Sequence, residues 1–210
     1  MISLSEILHT IAQALLIPCL IILIVLMAGA VWQIGDIVVE YIAERRKHKC
    51  NVPQLLRDVH TAGADGLADL IENSGLLRRQ KKVLLELAES RGLPKDTLTA
   101  LAERLLATEE ARNARTTSVT DMIAKLGPMF GLLGTLIPLG PGIVALGQGD
   151  TVTLSESMNV AFDTTIAGVI SAAVASVISH IRKRWYNDDM VSLETLMEAV
   201  LEEVTSDVEG

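Results

Sequence analysis

The run Ile11 to Trp32, IAQALLIPCLIILIVLMAGAVW, carries 22 residues without a charge. At about 1.5 Å per helical residue it reaches roughly 33 Å, enough to cross a hydrocarbon core of about 30 Å. A secretory leader is the alternative for an apolar run this early, but no Lys or Arg precedes it and Glu6 and His9 do. The run is therefore expected to remain as a transmembrane helix. Composition agrees, since 50% of the residues are apolar, only 3% are aromatic, and the mean hydropathy is +0.39.

Two further apolar stretches follow, Leu126 to Leu146 with five Gly and three Pro, and Val160 to Ile181 with one acid, Asp163. Glycine and proline weaken a helix in water, so buried soluble helices are the competing reading. In lipid, neighbouring helices restore the backbone hydrogen bonds such residues disturb, and two more spans are expected. Charge sets their direction. Of the 18 Lys and Arg, 15 fall between Glu40 and Lys125 and the others are Arg182, Lys183 and Arg184. The positive-inside rule then puts the N-terminus outside, residues 40–125 in the cytoplasm, the loop 148–159 outside and the tail 182–210 in the cytoplasm. The divisions expected are an outer segment and first span over 1–39, a second span over 126–147 and a third over 160–181.

The basic run Glu44 to Lys49 directly follows a span and reads as a topological anchor at the lipid surface rather than a nucleic-acid tract. The net charge of −8 also argues against nucleic acid as a partner. Cys19 and Cys50 form neither a disulfide framework nor a metal-binding spacing. Pro53 to Thr61, Ala64 to Asn73 and Leu76 to Arg91, punctuated by Gly63, Gly66, Gly75 and Gly92, read as short helices of a subdomain. From Leu93 the helical period of Leu98, Leu101 and Leu105 is expected to run unbroken into the second span. The tail repeats the pattern, with Leu193, Met197, Val200 and Val204 on one face and Glu194, Glu198 and Glu202 on another. No cofactor and no enzymatic activity are expected: the four histidines lack ligand spacing, and no Gly-rich phosphate loop, GxSxG or HExxH occurs.

Polar chemistry sits inside the spans instead. Gly127, Gly131 and Thr135 recur every fourth residue, a small-residue face for close helix packing, and with Gly168 and Ala172 a candidate contact between copies. The bland reading of Thr135 is a hydroxyl bonded to its own helix. In the third span Thr164, Thr165, Ser171, Ser176 and Ser179 accompany Asp163, and an ionisable group at that depth usually faces protein or water. Its own alternative is a favourable charge near a helix N-terminus.

The segments LGPMFGLLGT (Leu126 to Thr135) and FDTTIAG (Phe162 to Gly168) resemble the MotA/TolQ/ExbB proton channel family, most closely its three-span TolQ/ExbB branch. The resemblance rests on Gly131, Leu132, Gly134 and Thr135, then Thr165 and Gly168. It implies a pentamer around single-span helices of an ExbD, TolR or MotB type partner bearing the ion-carrying aspartate. Thr135 and Thr165 would then line the pore, with Thr164 and Ser176 beside them, Asp163 at the ion entrance, and Gly127, Gly131, Gly134, Gly168 and Ala172 packing the helices. The family pattern has Glu at the place of Val160 and Pro at that of Val174; Asp163, one turn from Val160, is the candidate replacement acid.

The expectation is thus an all-α membrane protein with three spans and long cytoplasmic helices, in the inner membrane. Its expected role is an H⁺ channel subunit of an ion-driven motor, Na⁺ being the alternative ion. A non-conducting membrane scaffold and a flagellar MotA-like stator are the rival functions, the latter resembling a four-span plan.

Overall fold

The computed structural model describes residues 4–45 and 51–209, and no strand occurs among them. Helix α1 (Leu4–Ala14) and helix α2 (Leu16–Glu40) are separated at Leu15, and α2 ends in a π-helical turn, Tyr41–Arg45. Pro18 explains the break, because it has no N–H to return to the carbonyl of Ala14. Next come α3 (Val52–Asn73), α4 (Arg78–Glu89), α5 (Lys95–Gly147, 53 residues) and α6 (Thr151–Glu209, 59 residues). Positions 46–49 of the basic run, and Cys50, lie outside the described residues. Three helical stretches are long and apolar enough to cross a membrane: Glu6–Ala43, Lys95–Gly147 and Thr151–Thr205. The fold is an all-α membrane protein.

The chain divides into two compact units, Met1–Asp36 with Thr117–Ile181, and Ile37–Thr116 with Arg182–Gly210. In the first, α2 buries one stripe, Cys19, Leu23, Leu26, Ala30 and Gln33, at the three- and four-residue steps of a helix. Leu26 and Ala30 share a core with Ile123 of α5 and Ala175 of α6. The Cys19 Sγ lies 3.3 Å from the Phe130 carbonyl. On its other faces α2 exposes large apolar side chains, including Ile17, Ile21, Ile24, Val25 and Trp32, the surface lipid would cover.

The turn from α5 to α6 is set by Gly149, whose φ of 77° is left-handed. Its N–H bonds Leu146 and the Asp150 N–H bonds Ala145, the Schellman pattern that satisfies the last carbonyls of α5. Asp150 then caps α6: its carboxylate accepts from the Thr153 N–H at 3.1 Å and the Thr153 hydroxyl at 2.6 Å. Those bonds hold the Asp150 carboxyl below its ordinary value.

The second unit is a soluble-type helical core. Leu55 and Val59 of α3, Leu84 and Leu87 of α4, Leu98 and Ala102 of α5, and Leu196, Met197 and Val200 of α6 are all buried in one cluster. Gly63 breaks α3 with a φ of 64°. Gln80 opens α4 by accepting from the Leu77 N–H and ties it to α6 by donating to the Asp189 carbonyl at 3.0 Å. The last residue of α2, Glu40, pairs at 3.1 Å with Nε of Arg182, which is 3% exposed. Tyr41 and Trp185 stack beside them with ring centroids 6.0 Å apart.

Tyr186 completes this knot. Burial first, then the charge of Glu40 and a hydrogen bond to it, push the Tyr186 hydroxyl up to about 12. A raised tyrosine favours the neutral, donating form, so its contribution is complete below the ordinary value of 10.0 and lost as pH climbs from there to about 12. Ultraviolet titration of the two tyrosines should show one ionising near 12, and Tyr186→Phe should remove that step. Arg182→Ala should lower the melting temperature sharply, since leaving Glu40 unpaired costs about 3 kcal/mol. An unchanged melting temperature would show the pair to be incidental.

Candidate functional site

Helices α5 and α6 meet through side chains that are nearly absent. A Cβ placed on Gly127 would stand 2.6 Å from the Gly168 carbonyl oxygen and 3.1 Å from the Ala172 Cβ. On Gly134 it would stand 2.6 Å from the Thr164 Cβ, and on Gly168 it would stand 2.5 Å from the Gly127 oxygen. On Gly131 it would stand 3.4 Å from both the Gly168 Cα and the Thr164 carbonyl oxygen. The packing positions named from the sequence therefore oppose one another, but within one chain. Within the chain the hairpin occupies Gly127, Gly131, Gly134, Gly168 and Ala172 and leaves Thr135 half-exposed.

Thr164 lies in the seam between the two helices. It is 5% exposed, it fills the space Gly134 leaves, and its hydroxyl donates to Val160 at 2.9 Å and Ala161 at 3.0 Å. Within the chain it acts as a packing residue. Thr135 and Thr165 are half-buried, at the edge of the same contact. The Thr135 hydroxyl donates to Leu132 at 2.7 Å and the Thr165 hydroxyl to Ala161 at 3.0 Å. With each proton held by the helix, the oxygen lone pairs remain to accept from water or touch a cation. Ser176 is exposed and falls on the helical face of Thr165 three turns further on.

Asp163 is exposed, flanked by Phe162 at 58% and Ile166 at 56%. Asn159, one turn earlier on the same face, is also exposed, and a carboxylate beside this much apolar surface is expensive in hydrocarbon. The neighbouring apolar residues give it no shelter.

A second polar layer joins Ser179, named from the sequence, to residues that were not: Asp121, Gln33 and Thr120. Asp121 of α5 accepts from the Ser179 hydroxyl of α6 at 2.5 Å. In the same unit Gln33 and Thr120 are buried at 6% and 0%, and the Gln33 Oε1 and Thr120 Oγ1 have no hydrogen-bond partner among the described residues. The signal available was periodicity: Gln33 continues the buried stripe of α2 one turn past Ala30, and Thr120 sits one turn before Ile123.

The glycine contact makes a controlled comparison. Gly168→Ala should lower the melting temperature in mild detergent, because its methyl meets backbone that cannot move aside. Gly35→Ala, where a Cβ meets nothing within 4 Å, should be neutral or slightly stabilising. Equal effects at the two positions would show that the close approach is not what holds α5 to α6.

No curated protein matches the chain. The model of the MotA/TolQ/ExbB proton channel family matches residues 68–195, more than half of the sequence. That stretch contains Gly127 to Thr135, Phe162 to Gly168 and the hairpin that joins them, and the chain belongs to the MotA/TolQ/ExbB proton channel family.

Proposed function

We propose that this chain is the ion-conducting subunit of an ExbB/TolQ-like stator in the cytoplasmic membrane. In this reading several copies, five by family resemblance, surround single-span helices of a partner whose carboxylate carries the ion. The ion is H⁺. Its passage would turn ion motive force into mechanical work, each elementary charge contributing about 2.3 kcal/mol per 100 mV.

The observation that carries the reading is the pair of half-buried hydroxyls, Thr135 and Thr165, at the edge of a hairpin in a proton channel family. Each is held by a backbone bond with its lone pairs free, which suits a water wire and resists trapping the proton. Asp163 supports assembly: with the exposed Asn159 it makes a polar face beside Phe162 and Ile166 that calls for another protein surface or a water path to cover it. The basic residues before Lys125 and at Arg182 to Arg184 favour an N-terminus outside, the α5 to α6 turn outside and the second unit in the cytoplasm.

Proteoliposomes holding the complex purified with its native partner test this reading. Under an imposed potential they should acidify, as followed by an internal pH dye. Asp163→Asn should reduce the flux in a pH-dependent way if the acid feeds the entrance. Flux identical to wild type at every pH would remove Asp163 from the path. An intact complex that passes no ions would favour the scaffold. A cysteine at Gln148 should react with an impermeant thiol reagent from outside intact cells, and labelling only after lysis would reverse the orientation.

A further inference from the structure

Two exposed faces of the second unit carry charges that find no partner among the described residues. On α5, Arg104, Thr108 and Arg112 follow one another every fourth residue, with Ala107 and Ala111 between them, and these residues line a shallow groove. On α6, Asp188, Val191 and Glu194 recur every third residue, all exposed, the valine at 56%. Neither arginine side chain, nor either acid side chain, has an ion pair or hydrogen bond among the described residues.

The two faces also stand at one level. The apolar stripe by which α5 enters the shared core runs from Leu98 to Leu106 and is centred on Ala102; that of α6 runs from Met190 to Val204 and is centred on Met197. The two helices are antiparallel, being consecutive arms of one hairpin. Counting from those centres toward the hairpin turn, Arg104 comes level with Glu194, Thr108 with Val191, and Arg112 with Asp188, each within about a third of a helical turn. Opposite charges thus bracket a valine on one face and a hollow of small side chains on the other.

We propose that this α5 face takes the α6 face of a second copy of the chain, Val191 seating between Ala107 and Ala111 while Arg104 and Arg112 meet Glu194 and Asp188. The inference rests on the proposed oligomer, because copies related by rotation about the membrane normal keep their levels, so level faces are the ones that can meet. Small residues permit close approach, and the charges on either side fix the register and exclude a contact of like faces.

Disulfide trapping tests the contact in the full-length protein in membranes, on a background with Cys19→Ser and Cys50→Ser. Thr108→Cys with Val191→Cys should give a reducible dimer and a ladder of higher species on oxidation, whereas Glu86→Cys with Val191→Cys, which pairs α6 with an exposed position on α4, should not. Arg104→Glu should weaken association by roughly threefold per contact, the scale of an exposed ion pair, and Arg104→Glu with Glu194→Arg should restore it. Native mass spectrometry separates the two levels of the claim. An oligomer by mass with no Thr108–Val191 cross-link, or with cross-linking equal to the control, overturns this contact and leaves the channel reading standing. A monomer by mass overturns both.

Discussion

The close approach of α5 to α6 is the constraint on which the rest of the spanning unit depends. In lipid there is little hydrophobic gain in bringing helices together, so packing and backbone proximity must supply the attraction. Gly127, Gly134 and Gly168 remove the side chains that would keep the backbones apart, and Thr164 fills the one gap left. This is also why α5 tolerates Pro128, Pro138 and Pro141 within a single helix. A neighbouring helix and an apolar surround make alternatives to the helix costlier than a few missing hydrogen bonds.

From that contact the functional groups take their places. Thr164 goes into the seam, and Thr165, one residue on and rotated by about 100°, comes to the edge with its hydroxyl still tied to the helix. Thr135 reaches the same edge from the other helix, one turn beyond Gly131. Asp163 is turned to the outside. One face of α6 thereby holds the hairpin together, Ala175 packs towards α2, and the side bearing Asp163 is left exposed. The second unit is built on different physics, a buried aliphatic core closed by Gln80 and by the Glu40, Arg182 and Tyr186 knot.

The fold was legible because its strongest signals are long-range in composition. An uncharged run of 22 residues can do little but span, and the helical period from Leu98 onward leads without a stop signal into Leu126. The glycine stripe was legible as packing, but its partner was not: a sequence shows that a face is small without showing which helix lies on it. Thr164 and Thr165 illustrate the same limit. They are adjacent and chemically identical, and only the position of Gly134 decides which is buried. Ser179 was legible as a polar residue of the third span, but its partner Asp121 was not, because the two are 58 positions apart and no motif surrounds Asp121.

The central claim is that a hydroxyl at the edge of the α5 and α6 contact takes part in ion passage. Its most direct test is proton flux in proteoliposomes of the partner complex carrying Thr165→Val or Thr165→Ser. Valine keeps the volume and serine keeps the hydroxyl. The account predicts that both variants assemble with the mass of the wild-type complex, that the serine form conducts and that the valine form does not. Conduction by the valine form at the wild-type rate would contradict it.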